Sequence, residues 1–196
     1  MLADITVQLD NGHGYDTPGK CSPVWSDGAQ LKEYEFNRLI VKMIDEGLKK
    51  LKIKTHILVP ELNDVPLSVR IKRSNSLTAR KGGILVSVHG NAGGGTGMEV
   101  FTSPGKTKSD LFASVWWEKA EALMGYKWPI RKDTTDGDND KEANFAMIAK
   151  TACPAILTEN GFMDRESDCR IMMDPYYQRL IAQVHIEAVH DYLIQI

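Results

Sequence analysis

The stretch from Ile84 to Val88 leaves the chain the fewest options. It is five residues long and almost continuously apolar: Ile84, Leu85, Val86, Ser87, Val88. A run so short and so apolar suits a strand covered on both faces, which belongs to a parallel sheet with helices packed on either side. It ends on His89, then Gly90 and Asn91, then a glycine-rich stretch containing Gly93, Gly94, Gly95 and Gly97. A buried strand that stops on a histidine and opens into a flexible loop delivers an imidazole to the carboxyl edge of the sheet. Open α/β sheets bind their ligands at that edge. Alone, such a histidine reads as a satisfied polar group at a strand end.

Other segments supply matching pieces. Ile5 to Leu9 reads as a first strand, running into a turn at residues 10–16 that carries His13. Residues 15–30, with Pro18, Gly19, Pro23 and Gly28, read as an irregular loop, long enough to be functional or mobile. Leu31 to Leu51 is a helix with Phe36, Leu39, Ile40, Met43, Ile44, Leu48 and Leu51 at helical spacing. Extending that stripe backwards puts Glu33 on its buried side, although a carboxylate in a first turn is also a favourable end charge. Glu35 points about 200° away from Glu33, so only one of the two faces the same neighbour.

Further along, Ile53 to Val59 reads as a strand with His56 as an ordinary member, and Val65 to about Leu77 as a short helix. Glu99 to Thr102 reads as a strand. Thr107 to Met124 is a helix with Ser109 or Asp110 near its cap, Gly125 at its end and Trp116 or Trp117 in the core. Asp133, Asp136, Asp138 and Asp140 do not fit a calcium-loop pattern, so residues 127–143 read as a solvated acidic loop. Phe145 to Ala149 reads as a strand. Ala155 to Thr158 is a short strand ending on Glu159, Asn160, Gly161 and Phe162. Asp174 and Pro175 cap a last helix whose buried face carries Tyr177, Leu180, Ile181, Val184, Ala188 and Tyr192. His185 and His190 fall off that face and read as surface residues. Strands alternating with helices predict one α/β domain over residues 1–196, a twisted, mainly parallel sheet flanked by helices.

Composition narrows the function. With 196 residues, 42% apolar, the chain is long enough for one good core. A net charge of -2 gives no basic field for nucleic acid or anionic lipid. No apolar run approaches the roughly 18 residues of a membrane span, so no stable membrane association is expected. The amino terminus shows no basic segment followed by an apolar core, hence no visible export signal. Cys21, Cys153 and Cys169 are odd in number and hold no Cys-x-x-Cys pair, which suits a reducing cytoplasm rather than a disulfide framework or a thiolate zinc site.

His13, His89 and Glu159 each follow a strand, and Glu33 opens the helix after the first loop. In an open α/β sheet these positions can converge at one edge. Two histidines and one carboxylate make a hydrolytic zinc site with an open fourth position. A second, unligated carboxylate is then needed as general base, and Glu159 supplies it.

At this point the sequence resembles a known family, the zinc-dependent N-acetylmuramoyl-L-alanine amidases of the amidase 3 class, from Val7 to about Tyr192. The family's Asp-Pro-Gly-His-Gly-Gly appears as Asp10, Asn11, Gly12, His13, Gly14, Tyr15. Its ligand Glu four residues before a polar helix residue matches Glu33 ahead of Asn37. Its Arg-x-x-x-Ala-Asn resembles Arg70 to Asn75, with Ser74 for Ala. Its Ser-x-His-x-Asn matches Ser87, His89 and Asn91. Its Pro-Ala-x-Leu-x-Glu-x-Gly-Phe matches Pro154, Ala155, Leu157, Glu159, Gly161 and Phe162. Asn11 and Tyr15 depart from the pattern, the connection from Asn75 to Ser87 looks longer, and the 127–143 loop looks peculiar to this branch.

The resemblance implies hydrolysis of the amide between N-acetylmuramic acid and L-alanine in peptidoglycan. It implies one zinc per chain on His13, Glu33 and His89, with Glu159 as base and Asn91 and Asn160 positioning substrate. Without an export signal, such a domain looks like a phage or prophage endolysin. It would be made in the cytoplasm and reach the cell wall when a holin opens the membrane; a trimmed bacterial enzyme would look the same. Two rivals remain. A zinc carboxypeptidase-like peptidase would need a His-x-x-Glu pair, but Gly14, Tyr15 and Asp16 follow His13. A catalytically inactive peptidoglycan-binding module would need neither Glu33 nor Glu159.

Overall fold

The strand at Gly83–Asn91 (β3) runs through a six-stranded sheet, covered on both faces as its apolar sequence requires. The computed structural model describes residues 5–196; the first four, over which the reading of the amino terminus extends, lie outside the described residues. In chain order the other strands are β1 (Thr6–Asn11), β2 (Thr55–Ile57), β4 (Met98–Thr102), β5 (Lys141–Glu142) and β6 (Ala155–Phe162). The helices are α1 (Glu33–Lys50), α2 (Leu67–Lys81), α3 (Ser109–Met124), α4 (Ala146–Ala149), α5 (Glu166–Met173) and α6 (Pro175–Gln195). The sheet order is β2-β1-β3-β6-β4-β5. The first four of these strands are mutually parallel, while β4 is antiparallel to β6 and parallel to β5.

Strand alternation divides the core in two. Ile84, Val86 and Val88 join Val7 and Leu9 under α1, α3 and α6. Leu85 points the other way, with Ala155 and Leu157, to a smaller cluster that takes in Met147 and Ile148 of α4 and the flank of Ile71 in α2. The expected mainly parallel sheet with helices on its faces is therefore the observed one.

Three local readings differ. Residues 145–149 form a turn of helix, α4, rather than a strand, because a short apolar run carries no periodicity to separate the two states. The acidic loop is only partly solvated: Asp140 is buried, its carboxylate accepts from the Thr102 hydroxyl at 2.5 Å, and Lys141–Glu142 pairs with β4. His185 is fully buried rather than a surface residue. The last helix packs against α3, α1 and α5, and His185 reaches the sheet at Thr158, so its buried arc is wider than its apolar stripe. The Asp174 cap forms as read, its carboxylate accepting from the Tyr176 N–H at 2.7 Å.

His185 links α6 to the sheet. Its Nδ1 lies 2.7 Å from the Ile181 carbonyl, which can only accept, so Nδ1 carries the proton. Its Nε2 then accepts from the Thr158 hydroxyl at 2.9 Å. Burial lowers its pKa to about 4 from 6.5, so the folded chain holds it neutral. The unfolded chain binds that proton more readily, so the contribution is full above pH 6.5 and is lost as pH falls towards 4. We predict a loss of about 3 kcal/mol of unfolding free energy from this group between pH 7 and 4. Urea titrations of the parent and His185→Gln should diverge over that window; parallel pH profiles would exclude His185 as the group responsible.

Candidate metal centre and active site

The site begins where β1 ends. Asp10 is fully buried, and its carboxylate accepts from Arg70 Nη1 at 3.0 Å and from the Ser87 hydroxyl at 2.7 Å. Arg70, buried on α2, also donates to the carbonyls of Asn11 (3.2 Å) and Val65 (2.7 Å) and to Asp64 (2.6 Å). The guanidinium fork thus fixes the end of β1, and the chain turns sharply beyond it. His13 adopts a φ of 65°, the left-handed region that side chains other than glycine rarely enter. Arg38 holds this turn by donating to the His13 carbonyl at 2.8 Å. Gly12 has no alternative, since a Cβ there would lie 2.0 Å from the His89 ring.

Glu33 meets both histidines. It is fully buried at the start of α1, whereas the Glu35 side chain is 58% exposed and faces Tyr34 and Lys32. Glu33 Oε1 lies 3.4 Å from His13 Nε2 and 3.2 Å from His89 Nδ1, and accepts from the Gly90 N–H at 3.2 Å. Asn37 spans Glu33 and the Gly12 carbonyl. The two imidazole rings stand edge to face, 5.0 Å apart. One ligand atom from each of His13, Glu33 and His89 lies within 4.8 Å of the others. Glu33 Oε2 is buried without a hydrogen-bond partner, its nearest cation being Lys20 Nζ at 3.6 Å. A cation among these three residues would satisfy that oxygen.

The electrostatics agree. Burial brings His13 down to about 4, so its ring is neutral, the form that binds metal. Burial opposes ionisation of Glu33, but the His89 hydrogen bond and the charges of His89, His13 and Lys20 outweigh it and lower its pKa. Burial likewise disfavours protonated His89, yet Glu33, Glu159 and Asp10 together pull its pKa up.

Glu159 sits on β6 directly opposite His89 of β3 and, on its other side, opposite Glu99 of β4. Burial pushes its pKa up to about 7, with Glu33 and Glu99 adding to the rise and His89 and Lys20 opposing it. Its Oε2 has no partner. A free carboxyl group titrating near neutrality, beside a cluster of metal-ligand type, is suited to moving protons.

The remaining residues singled out in the sequence are placed differently. Asn91 is half-buried, donating to Glu99 at 2.9 Å and accepting from the Ala92 N–H. Asn160 is fully buried and lies beneath the site: its amide donates to the His89 carbonyl at 3.0 Å and to Thr158 Oγ1 at 3.1 Å. Asp16 is exposed, with its carboxylate accepting from the Asp64 N–H. The glycine loop is pinned rather than free. Gly93 and Gly94 donate to Asp164, and Thr96 and Gly97 to the buried Asp168. Sequence reasoning missed Glu99, Asp164 and Asp168; isolated acids on strands and loops carry no periodic signal.

Comparison with known proteins agrees with this geometry. The profile of a family described as N-acetylmuramoyl-L-alanine amidase matches residues 7–191. The chain is 25% identical over 186 residues to the N-acetylmuramoyl-L-alanine amidase CwlM of Bacillus licheniformis, covering 92% of this chain and 66% of that protein. It is 27% identical over 188 residues to the endolysin of Bacillus phage SPP1, covering 95% and 65%. The chain thus spans about two thirds of the length of these relatives. The fold matches the crystal structure of N-acetylmuramoyl-L-alanine amidase from Clostridium difficile 630, with a TM-score of 0.83, 24% identity and 98% of each chain covered.

The Asp10–Arg70 pair generates a stability prediction. Asp10→Ala leaves the buried guanidinium without its interior carboxylate and should cost about 3 kcal/mol. Asp64→Ala removes the solvent-side partner, 42% exposed, and should cost less than about 1 kcal/mol. Equal losses in urea unfolding would show that the interior pair is not what fixes this end of β1.

Proposed function

Because the chain belongs to the N-acetylmuramoyl-L-alanine amidase family, matched over residues 7–191, we propose that it is a zinc-dependent hydrolase of peptidoglycan. The bond cut is the amide joining the lactyl group of N-acetylmuramic acid to L-alanine of the stem peptide. The observation that carries this reading is the convergence of His13, Glu33 and His89, with Glu159 across the strand from His89. Two imidazoles and one carboxylate are a catalytic zinc set that keeps a position open, and the orphaned Glu33 Oε2 fits a cation there. Bound by these residues, one zinc per chain would supply Lewis acidity, polarising the scissile carbonyl and acidifying water.

The protein's own residues do the rest. Glu159 accepts a proton from the attacking water as the carbon–oxygen bond forms. It then returns that proton to the departing nitrogen as the carbon–nitrogen bond breaks. The products are a lactyl carboxylate and a peptide with a free amino terminus on L-alanine. Asn160 keeps the His89 backbone in register with the base, a positioning role. Asn91 donates to Glu99 and so helps hold that carboxylate.

The likeness to a phage endolysin supports a lytic role, with residues 1–196 acting as one catalytic domain on the cell wall after release by a holin. Among the described residues, no helix is long and apolar enough to cross a membrane. An inactive binding module is the poorer reading, because binding alone does not call for a half-buried, unpartnered Glu159.

Mass spectrometry of digested peptidoglycan should find free L-alanine amino termini on released peptides; cleavage elsewhere in the stem would overturn the proposal. His89→Ala should lose both zinc and turnover, since two remaining ligands hold the metal poorly. Glu159→Gln should keep near-parent zinc while its rate drops about 10²–10⁴-fold. Parallel loss of zinc from Glu159→Gln would make Glu159 a ligand instead.

A further inference from the structure

Beside Glu159 lies a second charged group that the hydrolytic chemistry does not use. Glu99 is buried and stands directly opposite Glu159 in the β4–β6 pair. Like charges directly across a strand pair repel, so this placement costs stability unless it is compensated. Both of its oxygens are occupied. Oε1 accepts from Arg131 Nε and from Lys141 Nζ (2.6 Å), and Oε2 from the Asn91 amide (2.9 Å). Glu99 is therefore available neither as base nor as ligand. It is a post that anchors two cations.

Those two cations overcompensate it by one charge. The Arg131 side chain is 41% exposed, engages Glu99 through Nε alone, and meets no acceptor at Nη1 or Nη2 among the described residues. Its guanidinium lies over the Phe162 ring, with Cζ 5.5 Å from the ring centroid. Lys141 is held over Phe101. The result is a held, part-exposed guanidinium whose two terminal NH2 groups meet no acceptor among the described residues, on a carboxylate directly across the strand pair from the base. A planar fork of this kind matches a carboxylate in bidentate fashion.

We propose that Arg131, with Lys141, is a specificity-determining clamp for a carboxylate of the substrate. That carboxylate is the free α-carboxylate of the stem-peptide residue following L-alanine. This rests on the amidase reading above. In peptidoglycan that residue is linked through its side-chain carboxyl, so its α-carboxyl is left as the acid or, in some walls, as the amide. Reach is consistent. Directly opposed Cα atoms in an antiparallel pair lie about 4.5–5.5 Å apart, which puts Glu99 close to the base and the Arg131 fork one side chain beyond. An extended peptide advances about 3.3–3.6 Å per residue, which places the second residue about 7 Å from the scissile carbon.

The test uses the zinc-loaded enzyme and two synthetic muramoyl peptides identical except that this α-carboxyl is acid in one and amide in the other. The parent should prefer the acid at least tenfold in kcat/KM, chiefly through KM. Arg131→Gln, which keeps a donor towards Glu99, should bring the acid-to-amide ratio to near one, and Arg131→Lys should restore part of it. A purely structural Arg131 would lower both substrates together and leave the ratio intact. A parent ratio near or below one, or a variant that keeps the parent's ratio, overturns the clamp. Failure of the parent to cut the muramoyl amide in either substrate overturns the amidase reading, and the clamp with it.

Discussion

Burying carboxylates at one edge of a sheet is the constraint on which this structure depends. Asp10, Glu33 and Glu99 are all 3% exposed or less, and each needs its own compensation. An uncompensated buried charge costs several kcal/mol, a large fraction of a domain's net stability. The three solutions differ. Asp10 receives a full guanidinium and a hydroxyl, and becomes an inert anchor for the first strand's end. Glu99 receives two cations and an amide. Glu33 receives two imidazoles, a backbone N–H and a distant lysine, and one oxygen is left without a hydrogen bond. The under-compensated member of the set is the one placed between two histidines, where a divalent cation would complete it.

This ordering explains why the surrounding frame is rigid. His13 can enter a left-handed conformation because Arg38 and the Arg70 fork hold the chain on either side of it. Strain at a single residue persists only where its neighbours over-determine the geometry. Asn37 and Asn160 perform the same service for Glu33 and His89, by hydrogen bonds to Glu33 and the Gly12 carbonyl and to the His89 carbonyl. The histidine pair is thus held through backbone carbonyls as well as through the ring contacts with Glu33, so the rings keep their places beside that carboxylate.

Much of this was legible in the sequence, for physical reasons that vary by element. The central strand and the helix at Glu33–Lys50 follow from apolar periodicity, which core burial enforces. Placing Glu33 rather than Glu35 on the buried side follows from the same periodicity, since two residues turn a helix by about 200°. The long-range convergence of His13, Glu33 and His89 is not periodic; their places at strand and helix ends suggest it, and the family resemblance supplies the order and spacing that make it specific. His185 reads as a surface residue because a helical stripe assumes one covered face, whereas α6 packs against three helices and meets the sheet at Thr158. The resemblance implies a substrate-positioning role for Asn160, whose side chain the fold buries against the His89 carbonyl. In a strand, consecutive side chains point to opposite faces, so the residue next to a base that faces the site points into the core.

Sheet topology also accounts for the glycines after His89. In space β6 lies between β3 and β4, yet β3 and β4 are joined by only the few residues between Asn91 and Met98. That connection has to cross the end of β6, close to the strand that carries the base. Few side chains fit in such a crossing. A Cβ at Gly95 would lie 2.5 Å from the Phe162 ring, and one at Gly97 2.0 Å from the Pro129 carbonyl oxygen, at a φ of 98°. The N–H groups exposed by so tight a path find acceptors in Asp164 and Asp168, at the corner where β6 turns into α5. The crossing therefore ties the two flanking strands to the far end of the strand between them. It fixes β4, and with it Glu99, against Glu159. A glycine run that reads in sequence as flexibility is, in the fold, the device that sets the register between the base and its neighbouring charges.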